Sequence, residues 1–159
     1  MICYICVGSN LGDRLGYIKK AVALLKEERK IRVKKISSIY ETRPQGGPKG
    51  QREYLNLVIK IDSRLSPEKL LGALKRIEEK TGRQPRKKRL SAREIDLDIL
   101  LCGSRVIRKK HLTVPHRRIA KRYFVLKPLS EIAPNVRHPL TKETAHSMLK
   151  ALKDNREAK

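Results

Sequence analysis

The sequence predicts an α+β fold of the ferredoxin-like type, with helices packed on one face of an antiparallel sheet and with additions at the C-terminus. Three observations predict this class. Stretches typical of strands occur four times, and amphipathic segments follow the first and third of them, which gives the order β-α-β-β-α-β. A length of 159 residues with 39% hydrophobic content suits one domain over residues 1–159, with a loose tail after about residue 153.

The first half of the chain supplies a strand, a helix and two further strands. Ile2 to Val7 is a short apolar run before Gly8-Ser9-Asn10, which predicts a buried strand that ends in a turn. Apolar residues then recur at helical spacing from about Asp13 to Arg29. Residues 31–39 predict a second strand with an irregularity near its middle, and strict alternation over residues 54–61 predicts a third.

The second half begins with a capped helix. Ser66-Pro67 combines a hydroxyl cap with a proline in the first turn, and Gly82 marks the end of this helix. An irregular basic loop over residues 83–92 leads to the fourth strand. Gly103-Ser104 is typical of a two-residue hairpin that turns the fourth strand into a following one, and a short helix is predicted over residues 144–152.

Two carboxylates stand two positions apart in the fourth strand, which runs from Arg93 to Leu101. Successive side chains of a strand point to opposite faces, so Asp96 and Asp98 share one face. Like charges side by side are costly unless a cation neutralises them, and carboxylates combined with phosphate oxygens suit Mg²⁺. The pair therefore predicts metal-assisted handling of a phosphate, with a solvated strand face as the alternative.

The composition is strongly basic, with a formal net charge of +23. Such a charge attracts polyanions, namely nucleotides, nucleic acid or acidic lipid, without distinguishing among them, and it also fits a protein from a hot environment. No apolar run approaches the length of a membrane span, and the first residues lack the basic leader of a signal peptide. We therefore expect a cytoplasmic protein without a membrane partner.

The three cysteines are Cys3, Cys6 and Cys102, an odd number that fits a reducing compartment. Cys3 and Cys6 form a C-x-x-C motif without a second pair, and residues three apart in a strand face opposite sides. We therefore expect small core side chains rather than a redox or zinc site.

Three further groups carry side chains suited to ligands. Tyr54 and Asn56 share the non-core face of the third strand, where an aromatic ring and an amide suit a flat heterocycle; ordinary cross-strand pairs are the alternative. The basic loop ends at Arg93, and its guanidinium groups match phosphate oxygens; a solvated run of charge is the alternative. His116 follows a Val-Pro dipeptide that fixes its backbone, with a structural histidine as the alternative.

Glu78 falls at helical spacing from Leu71 and Leu74, on the buried side of the second helix. A carboxylate there needs a partner, and we expect an arginine from the basic loop in a structural role. Gly8-Ser9-Asn10, between strand and helix, suits the presentation of N–H groups to an anion, and a plain capped turn explains it equally well.

Taken together, these segments resemble the 6-hydroxymethyl-7,8-dihydropterin pyrophosphokinase family of the folate pathway. The most specific stretch runs from Arg93 to Ile99, with Thr113-Val114-Pro115-His116 behind it. The resemblance extends over nearly the whole chain apart from the tail after about Pro139. The other matching segments are Gly8-Ser9-Asn10-Leu11, Tyr40-x-Thr42-x-Pro44, Tyr54-Leu55-Asn56, Arg76-Ile77-Glu78, Gly82-Arg83 and Pro128-Leu129-x-Glu131-Ile132-Ala133-Pro134.

This resemblance implies an enzyme that transfers a pyrophosphoryl group from ATP to the hydroxymethyl group of a reduced pterin and releases AMP. The implied ligands of two Mg²⁺ ions are Asp96 and Asp98, and the implied catalytic residues are Arg93, Asp96, Asp98 and His116. The implied pterin site consists of Gly8, Thr42, Pro44, Tyr54, Asn56 and Phe124. The implied ATP site consists of Glu78, Arg83, Arg89, Arg93, Ile99, His116 and Arg122. The implied partners are ATP and the pterin, on a monomer with mobile lids at about residues 44–52 and 83–92.

The chain departs from the family pattern at a few loop positions: Arg43, Gln45, Pro85, Leu90 and Arg117. Leu90 stands where many members carry a tryptophan over the pterin, so the loop contacts are expected to differ while the reaction does not. A basic ferredoxin-like RNA-binding module is the competing interpretation, since it shares the order of elements. The chain lacks the glycine-aromatic octamer of such modules and has one phenylalanine, so we expect at most nonspecific adhesion of nucleic acid.

Overall fold

A central antiparallel sheet organises the part of the chain that the computed structural model describes, which is residues 1–44, 49–85 and 92–157. Its strands are β1 (Ile2–Ser9), β2 (Ile31–Ile36), β3 (Tyr40–Thr42), β4 (Tyr54–Ser63) and β5 (Asp96–Cys102). The spatial order is β2-β4-β1-β5, and β3 continues the edge beside β4. The predicted irregularity of the second strand is confirmed, because the register of β2 against β4 shifts between Val33 and Lys35.

Helices α1 (Arg14–Glu27) and α2 (Pro67–Thr81) cover one face of this sheet, as predicted. Their caps are the expected ones, since the Asp13 carboxylate accepts from the Gly16 N–H and the Ser66 hydroxyl accepts from the Lys69 N–H. Apolar residues of both helices share one core with alternate side chains of the strands. A row of strand side chains is thereby buried beneath each helix, which fixes the direction in which the remaining side chains point.

The opposite face of the sheet is covered by helices α3 (Tyr123–Ile132) and α4 (Ala145–Glu157). They form a second core with strand residues such as Tyr4, Cys6 and Val58. The predicted C-terminal additions therefore supply helices for the second face, which the prediction of helices on one face did not include and which is apolar enough to need a cover. Helix α4 also continues beyond residue 153, where we expected a loose tail.

The sequence predicted that a hairpin at Gly103-Ser104 pairs the fourth strand with the strand that follows it, and this pairing is wrong. A turn does follow β5 there, but β6 (Ile107–Lys109) pairs with β7 (Leu112–Val114) and forms a separate two-stranded sheet. Both strands contribute to the core under α1 and α2 through Ile107 and Val114. Helix α3, which contains Pro128, was not predicted, because an internal proline ordinarily ends a helix.

Cys3 and Cys102 form a disulfide between β1 and β5, whereas Cys6 is a buried free thiol. The expectation of core positions is confirmed, but it did not include a disulfide between Cys3 and Cys102. The two residues are direct cross-strand neighbours, a relation that depends on the register of strands far apart in the sequence.

Parts of the two predicted lids, at residues 45–48 and 86–91, lie outside the described residues, as do Gln45, Arg89 and Leu90. None of the helices in the described ranges has both the length and the apolar character needed to cross a bilayer.

Candidate active site

An amide and two carboxylates project from one face of the sheet because of the strand register. Gly8 on β1 lies opposite Asn56 of β4 on one side and Asp96 of β5 on the other. Two residues further along both strands, Cys6 lies opposite Asp98. The prediction that both aspartates share a face is therefore confirmed, and this is the face that α3 and α4 cover at its other end.

The lack of a side chain at Gly8 lets the Asn56 amide lie close to the strand. A Cβ atom at this position would come within 2.7 Å of the Oδ1 atom of Asn56 and 3.4 Å of the Tyr54 ring. Because 2.7 Å is far below a van der Waals contact, any larger residue would push the amide out of place. Glycine is therefore required here for space rather than for an unusual backbone conformation.

The two aspartates are placed so that their charges repel each other. The pKa of Asp98 is raised well above its usual value, chiefly by burial and then by the negative charge of Asp96. A divalent cation bound between them would offset both effects. Within the described residues, no group of three or more His, Cys, Asp or Glu side chains is placed to hold one metal ion, so the aspartate pair fits Mg²⁺ that completes its shell with phosphate oxygens and water.

Glu78, on α2, pairs with an arginine of the basic loop, as the sequence predicts. Its Oε2 atom forms an ion pair with the Arg83 guanidinium at 2.7 Å and accepts a hydrogen bond from the Leu97 N–H at 2.7 Å. The same Arg83 nitrogen lies 3.2 Å from Oδ1 of Asp96. Burial and the charge of Asp96 raise the pKa of Glu78 to about 7, against the opposing effects of the Leu97 N–H and Arg83. Arg83 thus stands between the helix carboxylate and the strand carboxylate.

His116 presents a neutral imidazole to the same region. The Arg118 N–H donates to its Nδ1 atom at 3.1 Å, so the proton of the neutral ring lies on Nε2. Burial, followed by the charge of Arg122, lowers the pKa of His116 to about 4. An Nε2–H group is therefore available as a donor across the neutral pH range.

The Asn56 amide is held by β3. Its Nδ2 atom donates to the Thr42 hydroxyl at 2.8 Å, and its side chain is buried with 2% of its surface exposed. At the start of α3, the Arg122 guanidinium lies 5.3 Å from the centre of the Phe124 ring, a distance suited to a cation–π contact. An oriented amide and an aromatic face therefore border the same space.

Glu131, near the end of α3, ties that helix to the segment before β3. Its carboxylate accepts from the Ser38 N–H at 2.8 Å, from the Ser38 hydroxyl at 3.2 Å, and from the Tyr40 hydroxyl. The bond to Glu131 is the main cause that raises the pKa of Tyr40 to about 12. The helix that carries Phe124 and the strand that carries Thr42 are thereby fastened together.

The Asn56 amide, the two aspartates, the imidazole and the nearby arginines line one cavity of about 440 Å³, a size that suits small-molecule ligands. From the implied pterin set, the lining includes Gly8, Pro44, Tyr54, Asn56 and Phe124. From the implied catalytic and ATP sets, it includes Glu78, Arg83, Arg93, Asp96, Asp98, His116 and Arg122. Most of the sequence-predicted site residues are therefore brought together.

Two of the predicted residues that the structure describes, Thr42 and Ile99, do not line the cavity. Thr42 lies behind Asn56 and acts through it, and Arg89 lies outside the described residues. Ile99 is buried in the core under α1 and α2, because its odd position in β5 turns it away from the aspartates. A contact between the Ile99 side chain and ATP is therefore not supported.

The sequence reasoning missed several lining residues, namely Gln51, Lys75 and His111. Lys75 precedes Glu78 by nearly one turn on α2, so helical spacing was the signal that would have found it. Cationic side chains outnumber acidic ones around the cavity, with Arg43, Lys75, Arg83, Arg93 and Arg122 among them. Such a lining suits a polyanionic ligand.

The RNA-binding alternative receives no support from this arrangement. Modules of that type stack bases on aromatic residues of an open sheet face. In the described structure α1 and α2 cover one face, and α3 and α4 pack on the other.

Comparisons with known proteins agree with the resemblance found in the sequence. The family model described as 7,8-dihydro-6-hydroxymethylpterin-pyrophosphokinase (HPPK) matches residues 4–134. The 2-amino-4-hydroxy-6-hydroxymethyldihydropteridine pyrophosphokinase of Aquifex aeolicus is 45% identical over 137 residues, which cover 86% of this chain and 83% of that protein. Its counterpart from Bacillus subtilis is 44% identical over 140 residues, which cover 88% of this chain and 83% of that protein.

Solved structures share the fold. In a crystal structure of Plasmodium falciparum HPPK-DHPS with pteroate, the matched region has a TM-score of 0.79 at 15% identity and covers 99% of this chain. The chain spans 43% of that longer protein.

Proposed function

The chain belongs to the 7,8-dihydro-6-hydroxymethylpterin-pyrophosphokinase family, and on this premise we propose how its own residues carry out the family's reaction. The enzyme transfers a pyrophosphoryl group from ATP to the hydroxymethyl group of 6-hydroxymethyl-7,8-dihydropterin in folate synthesis, and it uses Mg²⁺. The observation that carries the assignment of residues is the single cavity in which Asn56 and the aspartate pair, Asp96 and Asp98, lie beside a set of cations.

Asp96 and Asp98 are the proposed ligands of two Mg²⁺ ions. Their shared strand face and the mutual repulsion that raises the pKa of Asp98 support this role. When bound, the metal supplies positive charge to the triphosphate oxygens. Glu78 keeps Arg83 at the edge of this site, which places a guanidinium beside the metal-binding carboxylates.

The pterin is proposed to lie between Tyr54 and Phe124, with its polar edge towards Asn56. Thr42 orients that amide, and the absence of a side chain at Gly8 lets the amide keep its place close to the strand. An amide matches the donors and acceptors on the edge of a heterocycle, while aromatic side chains match its faces. This division of roles explains why polar and aromatic residues meet at one end of a mostly charged cavity.

The phosphates are proposed to contact Arg83, Arg93, His116 and Arg122. Arginine matches phosphate oxygens with a planar fork, and the Nε2–H group of a neutral imidazole donates without adding charge. As negative charge grows on the nonbridging oxygens in the transition state, these fixed donors are already in place. Catalysis in this site is therefore mostly positioning and charge stabilisation.

The chemical balance requires little covalent work from the protein. The pterin hydroxyl oxygen forms a bond to the β-phosphorus, the bond between that phosphorus and the α,β-bridging oxygen breaks, and AMP leaves with the bridging oxygen. The hydroxyl proton is released. Holding the two reactants in line provides most of the rate advantage, and a filled cavity keeps water from competing as the acceptor.

The test is AMP formation from ATP, measured with and without the reduced pterin and with and without Mg²⁺. We expect AMP and the pterin diphosphate in equal amounts only when both are present. Asp96→Asn and Asp98→Asn are each expected to slow this reaction by at least about 100-fold, while the ligand-free variants still unfold cooperatively. Hydrolysis of ATP without pterin, or full activity of either variant, would contradict the proposal.

We further propose a ferredoxin-like classification for residues 1–102, supported by the strand order β2-β4-β1-β5 and by helices after the first and third strands of that set. The whole chain is proposed to act as one pyrophosphokinase domain, as a monomer in the cytoplasm, where ATP and reduced pterin meet. The net charge of +23 supports weak, salt-sensitive adhesion to nucleic acid as a secondary property.

A further inference from the structure

Asn10 occupies the turn between β1 and α1, and its side chain is buried with 1% of its surface exposed. The sequence suggested an anion-binding turn or a plain cap at this place. The structure shows a different arrangement, because the amide of Asn10 uses both of its polar atoms to hold two separate segments of the chain.

The first segment is the end of the basic loop. The Asn10 N–H donates to the Arg93 carbonyl at 3.1 Å, and the Arg93 N–H donates to Oδ1 of Asn10 at 2.8 Å. The second segment precedes β4. There, Nδ2 of Asn10 donates to Oε1 of Gln51 at 3.1 Å and to the Arg52 carbonyl at 3.3 Å. A backbone N–H only donates and a carbonyl only accepts, so these two backbone partners fix which way the amide points.

The same turn holds the second segment by two more bonds. The Arg52 guanidinium donates to the Gly12 carbonyl at 2.8 Å, and the Arg14 guanidinium donates to the Glu53 carbonyl at 2.9 Å. The segment before β4 is therefore attached firmly to the turn. Its connection to the basic loop runs through the side chain of Asn10.

Both attached segments reach the cavity. Gln51 and Arg93 each line it, Gln51 close in sequence to Pro44 and Tyr54 of the proposed pterin site, and Arg93 within the proposed phosphate site. We propose that Asn10 is a positioning residue that couples the two substrates, so that ordering of Arg93 by the nucleotide also orders the segment that borders the pterin. This inference rests on the proposed function of the cavity, and it adds the residue through which the two halves communicate.

A purely structural amide would have a different effect from a coupling amide. Loss of a structural residue lowers stability and weakens both ligands alike. Loss of a coupling residue removes the dependence of one ligand's affinity on the other. The coupling factor, defined as the Kd of the pterin alone divided by its Kd with saturating nucleotide, separates the two cases.

The experiment measures the Kd of 6-hydroxymethylpterin by its fluorescence, with and without saturating Mg²⁺ and α,β-methylene-ATP. For the wild type we expect a coupling factor on the order of 5–150, with the same value when nucleotide binding is measured instead, since coupling is reciprocal. In Asn10→Ala, the factor is expected to fall to within about twofold of 1, while the nucleotide alone binds within about threefold of the wild type.

Asn10→Asp tests the direction of the link and serves if the alanine variant does not fold. Its carboxylate still accepts from the Arg93 N–H but repels the Arg52 carbonyl, so we expect retained nucleotide binding and a coupling factor near 1. Asn135→Ala, at an exposed asparagine in the turn after α3, is the matched control and should keep the wild-type factor.

A wild-type factor of 1, or an unchanged factor in either folded Asn10 variant, would overturn the inference. Neither result touches the proposed function, because AMP formation by the wild type is measured in the same preparation. Absence of AMP formation there would instead contradict the function itself.

Discussion

Lowering the pH from about 7.5 to about 4.5 tests whether His116 is buried as a neutral imidazole. In the folded protein its pKa is lowered from 6.5 to about 4, chiefly by burial. The unfolded chain therefore binds a proton as the pH falls through 6.5, while the folded protein does not until about 4. Within that window the free energy of unfolding contributed by this group falls as the pH falls, and above 6.5 the group has no effect.

The magnitude follows from the same two values. A span from 6.5 to about 4, at about 1.36 kcal/mol for each pH unit, gives an upper limit of about 3 kcal/mol. The cavity is open to solvent on one side, so the observed loss is expected to be nearer about 1–2 kcal/mol. Since carboxylates titrate over the same range, the quantity to compare is the difference between the wild type and a variant without the imidazole.

His116→Asn is that variant, because its amide oxygen can accept from the Arg118 N–H in place of Nδ1. Urea unfolding at several pH values gives the free energy of unfolding for both proteins. Between neutral pH and pH 4.5, the free energy of unfolding is expected to fall less in the variant than in the wild type, by about 1–2 kcal/mol. His146→Asn, at an exposed position of α4, provides the matched histidine control. A constant difference between His116→Asn and wild type across this range would refute the assignment of a neutral, buried imidazole.

Three other predictions concern the cavity and its support. Gly8→Ala places a methyl group 2.7 Å from Oδ1 of Asn56, so the KM for the pterin is expected to rise by at least about tenfold while the KM for ATP changes much less. Equal changes in the two KM values would contradict the proposed pterin site. Glu78→Ala leaves the Leu97 N–H without its acceptor and is expected to lower the free energy of unfolding by about 1–3 kcal/mol in a denaturant titration. Glu78→Gln keeps an acceptor, so its free energy of unfolding should fall less. Chelation of divalent cations is expected to abolish AMP formation and added Mg²⁺ to restore it, without a change in the melting temperature of the ligand-free protein. Activity that survives chelation would count against metal binding by the aspartates.

Much of the fold could be predicted from local patterns. Alternation in β4 assigned its faces, and the Ser66-Pro67 cap located α2, because both patterns depend on neighbours in the sequence. The pairing of β6 could not be predicted from Gly103-Ser104, since a turn signal fixes a reversal of the chain and not the strand that becomes the partner. Helix α3 contains Pro128 and has no side-chain cap at its start, so the local signals pointed away from a helix.

The candidate site also has features that local patterns predicted and features that depend on distant parts of the chain. The shared face of Asp96 and Asp98 follows from the period of a strand, and the buried position of Glu78 called for a cationic partner, which is Arg83. The role of Asn10 depends on segments about 40 and 80 positions away in the sequence, whose approach is set by the whole sheet. The disulfide of Cys3 likewise depends on long-range register and had no local signal.

The bonds from Glu131 to Ser38 and Tyr40 make α3 and β3 parts of one rigid frame. Phe124, at the start of that helix, and Pro44, just after that strand, both border the cavity. The position of the Phe124 ring therefore depends on a carboxylate near the other end of its helix, so a change at Glu131 would reach a ligand that Glu131 does not touch.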